Sequence, residues 1–167
     1  MTTEIRDALS QAVEYLREHR SEAKYTDSAA TAVLEDGLRV TVTGPEGAQL
    51  TTDMPKSIGG RGDLPSPGWF LRAAQASCLA SLIAMEAARA GVTLRRVEVV
   101  VDSESDDYGI LGIDESVPAG PLSSTARVRI SAKGPADLRA LVDAADRHCP
   151  VTDAVRRAVP WRVALKD

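Results

Sequence analysis

A chain of 167 residues with 44% apolar and 26% charged side chains has the size and composition of one ordinary globular domain, or of a domain with one added element, which excludes a disordered or fibrous chain. A net charge of −4, a pI near 5.3 and no Lys/Arg-rich run exclude a polyanion-binding surface, so neither nucleic acid nor a membrane is expected as a partner. With aromatic residues at 4%, the core is expected to be built from small and β-branched side chains.

From Thr3 to Arg20, Ile5, Leu9, Ala12, Val13 and Leu16 recur at helical spacing among charged residues, which predicts a one-sided amphipathic helix. The start MTTEIRDALS lacks the apolar core of a secretory signal, and Ala73 to Met85 is too short to span a bilayer, so a cytoplasmic protein is expected. From Ala29, short β-branched runs separated by Glu35-Asp36-Gly37 and Pro45-Glu46-Gly47 predict a three-stranded meander. Residues 54–67 are rich in Gly and Pro and predict a connecting loop.

Trp69 to Ala90 reads as a long helix with Pro67 near its start and Gly91 past its end. Its only charges are Arg72, Glu86 and Arg89, so burial on nearly all sides is expected, with a partner subunit supplying part of the cover. Leu94 to Asp102 and Leu122 to Ala132 alternate as strands around a long polar loop. Ala136 to His148 predicts a helix, Cys149-Pro150 a break, Val151 to Val159 a short helix and Pro160 to Leu165 a closing strand. The order of elements implies an α+β fold: antiparallel sheet packed on a long central buried helix.

Two cysteines, Cys78 and Cys149, are the groups with chemistry to examine, because a cytosolic chain keeps its thiols reduced unless they are redox-active. Cys78 lies several turns inside its helix, beyond the field of the N-terminus, so a thiolate there needs support from a side chain. Arg72 is six residues away and turned to the opposite side, which leaves Arg61 and Arg39 as candidates. His148 beside Cys149 points about 100° away from it along a helix and lacks a cysteine-protease context. Two Cys and two His without paired spacing do not form a metal site, so no metal is expected. Two alternatives remain: Cys78 attacks and Cys149 resolves, or the two cysteines are unrelated and Cys78 is simply a buried small hydrophobe. Gly59-Gly60-Arg61-Gly62-Asp63 lacks a phosphate-loop ending and is read as a turn. The acidic run Asp102, Glu104, Asp106 and Asp107 lacks the pattern of a calcium loop.

The block Pro67-Gly68-Trp69-Phe70-Leu71-Arg72-Ala73-Ala74-Gln75-Ala76-Ser77-Cys78, preceded by Pro55-Lys56-Ser57-Ile58-Gly59-Gly60 and followed by His148-Cys149-Pro150-Val151, resembles the OsmC/Ohr family of osmotically inducible and organic hydroperoxide resistance proteins. The resemblance covers roughly residues 29–165, so a domain over 25–167 with an N-terminal helical extension over 1–24 is expected. It implies an OsmC-like intertwined homodimer that reduces organic hydroperoxides, with Cys78 as nucleophile, Cys149 as resolving cysteine, no bound cofactor, and an external dithiol or its carrier protein as reductant. It further implies Trp69, Leu79 and Met85 as apolar walls for the substrate. Two positions depart from the family's pattern: Gly68 stands where a Glu is usual and Glu35 where an Arg is usual. The alternative on the same scaffold is a non-catalytic binding or stress-response protein.

Overall fold

The computed structural model describes residues 2–165. They form an α+β fold with two antiparallel sheets and divide into two compact units, Gln11–Ala73 and residues 2–10 with 74–165. The division falls within α1 (Thr2–Glu18) and within α2 (Pro67–Arg89), so both helices belong partly to each unit. In α1 the apolar stripe forms as expected, with Ile5 and Leu9 half-buried and Val13 and Leu16 exposed.

In the N-terminal unit, β1 (Thr31–Leu34), β2 (Val40–Thr43) and β3 (Gln49–Thr52) make the meander, with Leu34 opposite Val40 and Val40 opposite Thr52. The Gly-rich loop that follows is pinned rather than loose. Asp53 is 1% exposed, and its carboxylate accepts the N–H of Met54 at 2.8 Å and of Arg61 at 3.0 Å. The loop folds back so tightly that a Cβ on Gly60 would stand 1.8 Å from the Met54 carbonyl oxygen, a place only glycine can occupy. Ser66 then starts α2: its hydroxyl accepts the Trp69 N–H at 3.3 Å, and Pro67 follows at the first helical position.

The C-terminal unit holds β4 (Leu94–Glu104) and β5 (Ser123–Ala132), paired so that Val97, Val99 and Val101 face the same side as Ile130, Val128 and Ala126. The other face carries the Arg129–Glu98 pair at 2.8 Å and an Arg127–Asp102 pair. The polar loop between the strands contains one short helix, α3 (Asp107–Ile110), that the sequence pattern did not predict; Asp106 caps it by accepting the Tyr108 N–H. α4 (Leu138–Arg147) begins under an Asp137 cap, and α5 (Pro150–Arg156) follows the break at Cys149-Pro150.

α2 ends where expected: the Gly91 N–H donates to the Ala88 carbonyl and the Val92 N–H to the Ala87 carbonyl, the double closure that a left-handed Gly91 at φ +68 permits. Within one chain its burial takes the form of a stripe. Gln75, Leu79, Ile83 and Ala87 form one fully covered stripe at four-residue spacing and Ala88 lies beside it, whereas Cys78, Leu82 and Met85 are half-buried and Trp69 and Leu71 exposed. Sheet and α4 residues of the C-terminal unit pack against this stripe. The predicted closing strand is missing: Pro160–Leu165 pair with no strand, and Trp161, Val163 and Leu165 lie in the open. A strand needs a partner for its backbone N–H and C=O groups, and the described chain offers none to this segment.

Candidate active site

Two stripes meet in the core of the C-terminal unit. On α4, Leu141 and Ala145 are buried at four-residue spacing, and the next step along that face is Cys149, so the register carries past the helix end and delivers the thiol inward. On α2, Leu79 and Ile83 present the opposing stripe, and Cys78 and Leu82 flank it. Leu79, Ile83, Ala145 and Cys149 form the buried cluster against which Cys78, Val128, Ile130, Val142 and Val151 pack. Cys149 has no exposed surface, and Cys78 is half-buried. Both are free thiols, and Cys78 packs against the cluster that contains Cys149.

Their surroundings differ. Burial pushes the Cys78 thiol up, the charge and hydrogen bonding of Cys149 push it further, and only the Val151 N–H acts in the opposite direction. Burial also opposes ionisation of Cys149, but the Thr152 hydroxyl donates to its sulfur at 3.1 Å, and the N–H of Thr152, the Cys78 thiol and the N–H of Val151 act in the same sense, holding it below the ordinary thiol range. Of the two thiols Cys149 is therefore the first to ionise, with the Cys78 thiol as its neighbour. Thr152 is absent from the candidates named from sequence. The signal that could have found it is local: a hydroxyl three residues after a cysteine that precedes a Pro-initiated helix.

A second feature the sequence reading missed anchors this segment. His148, the residue before Cys149, has its Nδ1 3.3 Å from the Glu86 carboxylate on α2, and Arg89 donates to the same oxygen at 2.6 Å. The side chain of Glu86 is 12% exposed, so the tether between α2 and the α4–α5 break is partly shielded from water.

The other predicted site residues are placed as follows. Arg39 donates from its Nη2 to both carboxylate oxygens of Asp63, at 2.6 and 2.7 Å, and Arg61 pairs with Asp36, so both guanidiniums are engaged by carboxylates of the N-terminal unit. The Arg61-Gly62-Asp63 string thus splits between two ion pairs inside one unit. Trp69 is half-exposed and meets Phe70 edge to face at 5.1 Å. Met85 is half-buried. Leu79 is buried and contributes to the floor of a cleft of about 470 Å³, with Val128, Ile130 and Val142 beneath Arg139 and Arg156. Consecutive helical residues diverge by about 100°, so Leu79 and Cys78 present different sides of α2. At Gly68 a Cβ would have its nearest neighbours at 3.9 Å, so the position has room for a side chain although it carries none. Among the described residues, no three His, Cys, Asp or Glu side chains converge as metal ligands would, and no helix is long and apolar enough to cross a membrane.

Residues 60–164 match the family described as OsmC-like protein. Solved structures share the fold at low identity. An OsmC-like protein from Mycoplasma pneumoniae is 16% identical with a TM-score of 0.67, over 81% of this chain and 91% of that one. An organic hydroperoxide resistance protein OsmC from Legionella pneumophila is 22% identical with a TM-score of 0.59, over 80% and 91%. The organic hydroperoxide resistance protein OhrB of Bacillus subtilis is 18% identical with a TM-score of 0.50, over 80% and 93%. No curated protein matches the chain.

Proposed function

The chain belongs to the OsmC-like proteins, and from that premise we propose that it is a thiol-dependent peroxidase that reduces organic hydroperoxides to alcohols through Cys78 and Cys149. The observation that carries this reading is the thiol pair itself: two cysteines 71 positions apart in sequence, both free, are brought to one core cluster.

Access supports these roles. Cys149 has no exposed surface, so a peroxide meets the half-buried Cys78. Once Cys149 has ionised to solvent, its thiolate takes the proton of the Cys78 thiol, and the Cys78 thiolate attacks the terminal peroxide oxygen. The O–O bond breaks, an alkoxide leaves and takes a proton from water to become the alcohol, and Cys78 becomes a sulfenic acid. The Cys149 sulfur then attacks the Cys78 sulfur, the hydroxyl departs with the Cys149 proton as water, and the disulfide forms. An external dithiol restores both thiols with no bound cofactor. Met85, half-buried two turns along the same side of α2 as Cys78, acts as an apolar wall that favours alkyl over hydrogen peroxide, and a reducing cytosol is the compartment that returns the pair to thiols.

The working form is a homodimer in which the long helices pack centrally. The half-buried side of α2 and the nearly fully exposed Trp161, Val163 and Leu165 support it, because apolar surface of this kind gains by being covered. Light scattering on the eluting protein tests this directly, and a monomer at micromolar concentration removes it.

The rival reading, a non-catalytic stress-response or binding protein, is favoured by the raised Cys78 thiol and by Gly68 and Glu35 at the two departing positions. Consumption of cumene hydroperoxide with a dithiol decides between them. Turnover by the wild type that disappears in Cys78→Ser is the expected result, and equal background rates in both leave the binding protein as the function.

A further inference from the structure

We propose that the Cys78–Cys149 disulfide is reduced with a fixed polarity: an external thiolate attacks the Cys78 sulfur, Cys149 leaves as a thiolate, and the Thr152 hydroxyl receives it, which makes Thr152 the positioning residue of the regeneration step. The inference rests on the preceding reading in that the two cysteines form a disulfide.

Two independent features of the geometry point the same way. The first is access, since an attacking thiolate must approach a sulfur along the line of the S–S bond. Cys149 has no exposed surface and sits behind Leu79, Ile83 and Ala145, whereas Cys78 is half-buried. The second is the cradle for the leaving group. Cys149 immediately precedes α5, Pro150 fixes the first helical position, and Thr152 stands two residues further with its hydroxyl 3.1 Å from the Cys149 sulfur. A disulfide sulfur that departs as a better-stabilised thiolate leaves faster. The directions of the two thiol shifts, down for Cys149 and up for Cys78, agree with this order.

The step balances as one exchange followed by another. The first thiolate of a dithiol forms a bond to the Cys78 sulfur as the Cys78–Cys149 bond breaks, and the electron pair goes to Cys149. The second thiolate of the same reductant attacks its own chain's sulfur, releasing the Cys78 thiolate and closing the reductant's disulfide. Two electrons pass to the protein, and the reductant is oxidised by two.

The test uses the full chain oxidised with diamide, so that disulfide formation is independent of hydroperoxide. Limiting 2-mercaptoethanol, rapid acid quench and peptide mass mapping then locate the adduct. The expected product carries mercaptoethanol on Cys78 and a free Cys149. Thr152→Val slows the reduction about tenfold, and Thr152→Ser restores it. The ultraviolet thiolate absorbance of reduced Thr152→Val appears at higher pH than in the wild type, a shift that a merely structural role of the side chain would not produce. An adduct on Cys149, an even split, or a Thr152→Val variant reduced at the wild-type rate overturns the proposal. No disulfide with diamide overturns it together with the resolving role of Cys149. A disulfide with diamide but none with hydroperoxide removes the peroxidase reading alone, and the adduct position still decides the polarity.

Discussion

Replacing Asp53 by Ala removes a carboxylate that is 1% exposed and that accepts two backbone N–H groups, those of Met54 at 2.8 Å and Arg61 at 3.0 Å. Each hydrogen bond to a charged group is worth about 1.5–3 kcal/mol, and a donor left buried without a partner costs a similar amount. Relief of the buried carboxylate's own desolvation offsets part of this, which leaves a net loss of about 3–5 kcal/mol, a large fraction of the stability of an ordinary domain. For a chain of this length the loss corresponds to a fall in Tm of about 6–20 °C. Asp53→Asn keeps one acceptor oxygen but turns an amide N–H₂ toward the other donor, so it loses about half as much. Urea unfolding followed by circular dichroism measures the global term. Tryptic cleavage after Lys56 and Arg61 measures opening of the loop itself, because both sites lie in the segment that Asp53 ties back. The loop also carries Asp63, the partner of Arg39, so its release frees that guanidinium as well. An Asp53→Ala protein within about 1 kcal/mol of the wild type, with unchanged tryptic rates, would show that the N–H groups find water and that the buried carboxylate does not hold the loop.

Two further outcomes are expected. In the reduced protein the first thiol to ionise as pH rises is Cys149, because its pKa is lowered and that of Cys78 raised. Thiolate absorbance of Cys78→Ser, which retains only Cys149, should therefore rise at lower pH than that of Cys149→Ser, and the reverse order would invalidate the charge assignment. Gly68→Glu should fold and gain about 0.5–1.5 kcal/mol in urea unfolding, since the site is open, glycine is a poor helix former, and a carboxylate in the first turn of α2 meets the favourable end of the helix; a destabilised variant would show that the helix start is more crowded than its backbone geometry indicates.

Much of the local structure was legible. The 3.6-residue period over 3–20 became α1, the Pro67 and Gly91 signals bounded α2 nearly to the residue, and Cys149-Pro150 separated α4 from α5. Alternation through Leu94–Asp102 and Leu122–Ala132 gave the right hairpin because one face is covered and the other wet. The closing strand failed for a physical reason. Trp161, Val163 and Leu165 alternate as a strand should, yet alternation describes a face and does not supply the backbone partner that a strand needs. α2 is apolar around most of its circumference, and within one chain a single stripe of it is fully covered.

The candidate site divides in the same way. That Cys149 points into a core follows from its place in the series Leu141, Ala145, Cys149, and the Cys78 flank of the α2 stripe follows from equally local spacing, because helix periodicity is written in the sequence. That these two thiols share one cluster was accessible only through the family resemblance, since no local rule joins positions so far apart. The unequal ionisation of the pair, the shielded Glu86–His148 tether and the buried Asp53 under its loop were decided by the tertiary structure alone. Charge placement depends on burial and on which donors lie within hydrogen-bonding reach. Those are through-space distances, set when the chain packs and absent from the order of its residues.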